Sequence, residues 1–135
     1  MKSDVKIRPH QTKKSEASRL RLIWKDPSTS RYHNVGWFTY TDDGQYRFQY
    51  SPHLPESFEP LAQFPDTSKT YESKNLPAFF ANRVMSRRRA SYASYVSWLG
   101  LDTEALPVEL LARTGGGRAT DTFHLVESFG QGDGV

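Results

Sequence analysis

From Arg19 onward, apolar and polar residues alternate. Leu20, Leu22 and Trp24 take every second position until Lys25, the pattern of a half-buried strand. Asp26-Pro27-Ser28-Thr29-Ser30 is turn chemistry. Val35 to Tyr40 is rich in β-branched and aromatic residues, and Asp42-Asp43-Gly44 then supplies a hairpin turn in which glycine suits a positive φ. Tyr46, Phe48 and Tyr50 alternate with Gln45, Arg47 and Gln49, the clearest two-residue period in the chain. These segments predict an antiparallel meander with one aromatic face buried.

Residues 51–70 break the period. Pro52, Pro55, Pro60 and Pro65 cannot donate to a strand ladder, yet Leu54, Phe58, Leu61 and Phe64 recur among them. The segment is expected to lie across the domain on these apolar anchors. Asn75 and Pro77 then read as a helix start, with Leu76, Phe79, Phe80, Arg83 and Val84 on one face and Ser86-Arg87-Arg88-Arg89 at the end. Ser91 opens a second helix whose stripe is Tyr92, Tyr95, Val96 and Leu99, and Gly100 suits the left-handed residue that closes it. Pro107 begins a third, short helix through Val108, Leu110 and Leu111, stopped at Gly115-Gly116-Gly117. Thr120 to Glu127 is expected to form a final strand.

The fold expected is α+β: a small antiparallel sheet of three to four strands, with two or three short helices packed on one side. It occupies residues 19–127 as a single domain. Residues 1–18 read as a disordered basic tail and residues 128–135 as a flexible C-terminus.

Composition changes this picture in two places. Mean hydropathy is −0.70, but Phe 8, Tyr 7 and Trp 3 are too many for a disordered chain, so the core should be built largely from aromatics. The net charge of +3 is unevenly spread: residues 1–21 carry seven Lys and Arg against Asp4 and Glu16, a balance of +5, which leaves −2 for the rest. Such a tail can attract nucleic acid or an acidic partner, or simply be a solvated leader. The absence of cysteine excludes disulfides, thiolate metal sites and cysteine nucleophiles. No apolar run approaches membrane-spanning length and no signal-peptide core is readable, so a cytoplasmic protein is expected.

Six short motifs occur in one order: Val35-Gly36-Trp37-Phe38, Tyr46-Arg47-Phe48-Gln49-Tyr50, Pro77-Ala78-Phe79-Phe80-Ala81-Asn82, Leu99-Gly100-Leu101, Leu110-Leu111-Ala112 and Gly115-Gly116. This order, from about Leu22 to Gly117, resembles the N-terminal subdomain of HipA-type proteins, the small module in front of the kinase core of bacterial persistence toxins. Two stretches depart from that family's usual pattern. Ser86-Arg87-Arg88-Arg89 stands where Pro-Glu-Gly is usual, and Arg118 to Phe123 replaces an Asp-Cys-x-Gly. Both are closer to the HipA-N-like region that precedes a HIRAN domain in some bacterial proteins. HIRAN is associated with DNA ends, and that activity is not carried over. A free-standing module resembles the HipS type of protein, which acts in trans on a separate kinase toxin.

Candidate chemistry is sparse. Arg83, Arg87, Arg88 and Arg89 are the densest basic cluster, with Arg83 and Arg87 expected on one helix face and Tyr92, Tyr95 and Trp98 close by. Such a set can hold phosphate and stack a base, or be a solvated helix end with its aromatics in the core. Gly36, Phe79, Phe80, Gly100 and Gly115 are expected to be structural. The four histidines show no metal-ligand spacing, no nucleophile elbow is present, and the kinase catalytic loop, metal-binding Asp and phosphate loop are missing. The expectation is therefore a non-enzyme without cofactor. It is a protein-interaction module, an antitoxin or regulatory subunit for a HipA-like kinase or regulatory complex. The alternative is a nucleic-acid-associated accessory module with weak binding. A membrane partner is not expected.

Overall fold

A computed structural model describes residues 19–128, so the expectations for 1–18 and for 129–135 lie outside the described residues. Five strands, β1 (Arg19–Lys25), β2 (Tyr32–Tyr40), β3 (Tyr46–Tyr50), β4 (Tyr71–Ser73) and β5 (Phe123–Glu127), form one antiparallel sheet in the order β4-β3-β2-β1-β5. Three short helices accompany it: α1 (Ala78–Ala81), α2 (Tyr92–Trp98) and α3 (Pro107–Thr114).

The expected sheet of three to four strands is thus corrected to five. The added strand is β4, three residues at the edge, paired Phe48↔Tyr71 and Arg47↔Glu72. A strand this short shows no readable period, and its pairing is decided by what β3 offers it. Arg47 and Glu72 meet across the pair at 2.7 Å. The expectation that helices cover the sheet is corrected too. Helix makes up only 17% of the structure, and the proline-rich loop shares in covering the apolar face.

Register explains the core. Leu20↔Phe38↔Phe48 and Leu22↔Leu125 place their side chains on one face, all nearly inaccessible. A bulge lies between Leu22 and Ile23 in the β1–β2 pairing, where Val35 is the extra residue, fully buried. Gly36 beside it has no room for a side chain: a Cβ there would lie 2.7 Å from the Gln49 carbonyl oxygen and 2.9 Å from the Phe48 ring. Phe80 of α1 stacks on Phe38 at 3.8 Å between centroids and contacts Phe48 at 5.8 Å.

The loop over 51–70 is anchored as its apolar residues imply. Phe58 packs edge-on against Trp24, and Phe64 lies tilted against Phe48 with 4.7 Å between centroids, both rings buried. The Tyr50 hydroxyl donates to the Phe64 carbonyl at 2.6 Å and accepts from the Leu61 amide at 2.8 Å, fixing the loop's path. Buried Asp26 ties the loop to the first turn. Its carboxylate accepts from the Ser28 amide and hydroxyl and, across the fold, from the Ser57 hydroxyl at 2.9 Å.

The first helix is much shorter than its sequence pattern suggests. It was expected to run to Ser86–Arg89 but ends at Ala81, and Asn75 does not cap it. After Ala81 the backbone continues through tighter bonds, Arg83 N–H to Phe80 O and Val84 N–H to Ala81 O. This turn aims the Arg83 side chain inward, so Arg83 and Arg87 do not share a helix face. The second helix ends as expected. Gly100 has φ +81°, its amide donates to Ser97 O, and Leu101 donates to Val96 O, a Schellman closure. α3 starts at Pro107, with the Glu109 carboxylate accepting from the Leu106 amide at 2.7 Å, and stops at Gly115 with φ +82°. It is the helix that packs on β1 and β5.

Candidate interaction surface

The four arginines grouped by the sequence have two fates. Arg83 is buried. One Nη donates to the Gly116 carbonyl at 3.0 Å and the other pairs with Asp121 at 2.5 Å, while its guanidinium lies 4.2 Å from the Phe79 ring centroid. It clasps the α1 turn to the connection between α3 and β5, and it presents nothing to a partner. Phe79 serves as the roof of this clasp, edge-on to Phe123 at 5.4 Å, and leaves the central stacking to Phe80.

Arg87, Arg88 and Arg89 stay at the surface on the turn leading into α2. Among the described residues the ion pairs are Arg47–Glu72 and Arg83–Asp121, and neither involves these three. Arg87 is held in place by a 3.2 Å bond from its Nη2 to the Ala105 carbonyl. Its charge also reaches the Tyr46 phenol. Burial, with Tyr40 nearby, pushes that phenol's pKa above its ordinary value of 10.0, and Arg87 opposes the rise.

α2 stands apart from the main core. Tyr92 and Val96 pack with Leu110 in a separate small cluster, completed by Val84, Met85, Tyr95, Leu99 and Leu101. The opposite face of α2 carries Ala93, Ser94 and Ser97, and Trp98 projects there with 81% of its surface exposed. In the sequence Trp98 stands with Tyr92 and Tyr95 as one of three aromatics beside the arginines. A signal was present: Trp98 is two residues after Val96, about 200° round the helix from the buried stripe. The turn's three arginines and Trp98 lie at opposite ends of a helix about 10 Å long.

Two cavities open beside the same turn. One, of about 300 Å³, is lined by Leu76, Val84, Met85, Pro107 and Leu110, and the other, of about 320 Å³, by Arg89, Ala90, Ala93 and Thr103; Arg87 and Tyr92 line both. The Tyr92 hydroxyl is buried without a hydrogen-bond partner. Gly100 and Gly115 are helix stops, and Gly116 meets the Arg83 clasp. No group of three or more His, Asp or Glu residues able to hold a metal occurs among the described residues. Nor, among them, is any helix long and apolar enough to cross a membrane.

The fold is a small aromatic-cored β sheet with a helical appendage. The family model described as HipA N-terminal domain matches residues 30–120, and the chain belongs to that family. The match runs from the first hairpin to the α3–β5 connection and includes the whole surface just described. Neither the curated proteins nor the solved structures give a match to the chain.

Proposed function

We propose that the protein is a non-catalytic, cytoplasmic interaction module of a HipA-related toxin–antitoxin system, acting as an antitoxin or regulatory subunit on a separate HipA-like kinase. Membership in the HipA N-terminal domain family supports that context. The observation that carries the interaction reading is Trp98, 81% exposed on a helix whose outward neighbours are small and whose approach carries three arginines without carboxylate partners. Tryptophan and arginine are the residues most enriched among those that dominate protein–protein binding energy. Burying an indole that is now in water supplies the apolar contribution, and the guanidinia supply orientation and electrostatic steering.

The test is co-purification of the full chain with a HipA-like kinase encoded beside it. A complex is expected, and Trp98→Ala should weaken it at least about tenfold, the equivalent of ~1.4 kcal/mol. Failure of the two proteins to associate, or an unchanged affinity in Trp98→Ala, refutes the reading. The second reading, a nucleic-acid accessory related to HIRAN-containing proteins, draws on the same three exposed arginines. It requires an affinity that falls steeply with salt, at a log–log slope of about −0.9 per phosphate contact on duplex DNA. Sub-micromolar duplex binding at physiological salt by residues 19–135 would reverse the order of the two readings.

A further inference from the structure

We infer that the two cavities sharing Arg87 and Tyr92 form one bipartite groove, and that it takes a segment of a partner protein in which an apolar side chain stands next to a carboxylate. The inference rests on the interaction reading above and names what this part of the surface would grip.

The two halves differ in chemistry. On one side Leu76, Val84, Met85 and Leu110 offer aliphatic and thioether atoms around about 300 Å³, near the lower end of pocket sizes that bind a side chain or small ligand. The methionine adds a surface that adapts to the shape of what enters. On the other side about 320 Å³ is lined by Arg87, Arg89 and Thr103, with the small residues Ala90 and Ala93. Guanidinium groups donate only, and Arg89 has no carboxylate partner among the described residues, so the arginine side of the groove offers donors to an incoming acceptor. An ionised carboxylate is an acceptor alone and fits a guanidinium fork. Asp102 and Glu104 flank Thr103 but do not answer the arginines: the Asp102 carboxylate instead accepts from the Glu104 amide at 2.9 Å. The bond from Arg87 to the Ala105 carbonyl fixes one guanidinium before anything binds, which lowers the ordering cost of association.

A ligand that satisfies both halves needs its apolar and anionic groups on adjacent residues, because Arg87 and Tyr92 belong to both cavities. The probes are therefore three blocked tetrapeptides: acetyl-Gly-Leu-Glu-Gly-amide, the same peptide with Gln for Glu, and the same with Ala for Leu. Each is titrated into the isotope-labelled full chain and followed by amide and side-chain chemical shifts. The Leu–Glu peptide is expected to bind at around millimolar Kd and to shift Val84, Met85, Tyr92 and Leu110. Replacing Glu by Gln should weaken it by about tenfold, as expected for one charge-assisted contact. Replacing Leu by Ala should weaken it by several-fold.

In Arg89→Glu the preference for Glu over Gln should vanish, while thermal unfolding stays unchanged, because Arg89 is exposed and its side chain has no partner among the described residues. Equal affinity for the Glu and Gln peptides overturns the inference, as does a preference that survives Arg89→Glu or the absence of any shift at about 10 mM peptide. Self-association that Arg89→Glu abolishes, without peptide binding, would assign the groove to a second copy of the chain and also overturn it. The two proposals fail separately. A kinase complex lost in Trp98→Ala but intact in Arg89→Glu removes the groove and leaves the interaction module. Peptide binding with no kinase complex does the reverse.

Discussion

Removing the carboxylate of Asp121 should destabilise this fold more than its half-exposed position suggests. The ion pair is asymmetric: the Arg83 side chain is 1% exposed and that of Asp121 29%. Truncation to alanine leaves a charged guanidinium in the interior with the Gly116 carbonyl as its remaining hydrogen-bond acceptor and the rings of Phe79 and Phe123 at 4.2 and 5.7 Å. Its Nε already lacks a partner. Stripping one member from a buried pair costs about 3–5 kcal/mol. The low end applies, about 3 kcal/mol, because water can enter where the exposed part of Asp121 was. For a domain of this size that corresponds to a fall in Tm of about 10–15 °C. Differential scanning calorimetry and urea unfolding would measure it. The double change Arg83→Met with Asp121→Ala should recover at least half of the loss, since a thioether between two phenylalanine rings carries no charge to strand. A loss under about 1 kcal/mol in Asp121→Ala, or a double variant less stable than the single, would refute the account of Arg83 as a buried clasp.

Three other perturbations probe different layers. Phe80→Ala removes the fully buried ring stacked on Phe38 and should cost ~3–5 kcal/mol, whereas Phe79→Ala, half-buried over Arg83, should cost about 1–2; equal losses in urea unfolding would contradict this division. Gly36→Ala forces a methyl against the Gln49 carbonyl and the Phe48 ring and should cost about 1–3 kcal/mol, so a thermal midpoint equal to wild type would show that the bulge can relax. Hydrogen bonds from Ser28 and then Ser57 hold the Asp26 carboxyl below the ordinary carboxylate range, so its contribution is present above the unfolded-state pKa of about 3.9 and is lost as pH falls towards the folded value. Asp26→Asn should flatten the decline of stability with acid below about pH 4, and superposable pH profiles for the two proteins would rule this out.

What the sequence determined by itself was local. Four of the five strands, three helix sites, the hairpin glycine at Gly44 and the Schellman glycine at Gly100 follow from periodicity and backbone sterics, which need no knowledge of distant residues. The ordered aromatic and glycine motifs also carried the resemblance to the HipA N-terminal domain family, because they record which faces must pack. Tertiary structure decided whatever depended on a partner far along the chain. β4 exists because Tyr71 and Glu72 meet Phe48 and Arg47 on β3. α1 stops at Ala81 as the chain turns Arg83 towards Gly116 and Asp121, more than thirty residues away, and no helical pattern encodes that. The arginine cluster therefore divided into one buried clasp and three surface charges. Trp98 became exposed because α2 packs its Tyr92–Val96 edge, with Tyr95 and Leu99, around Leu110, a contact set by where α3 lies on the sheet.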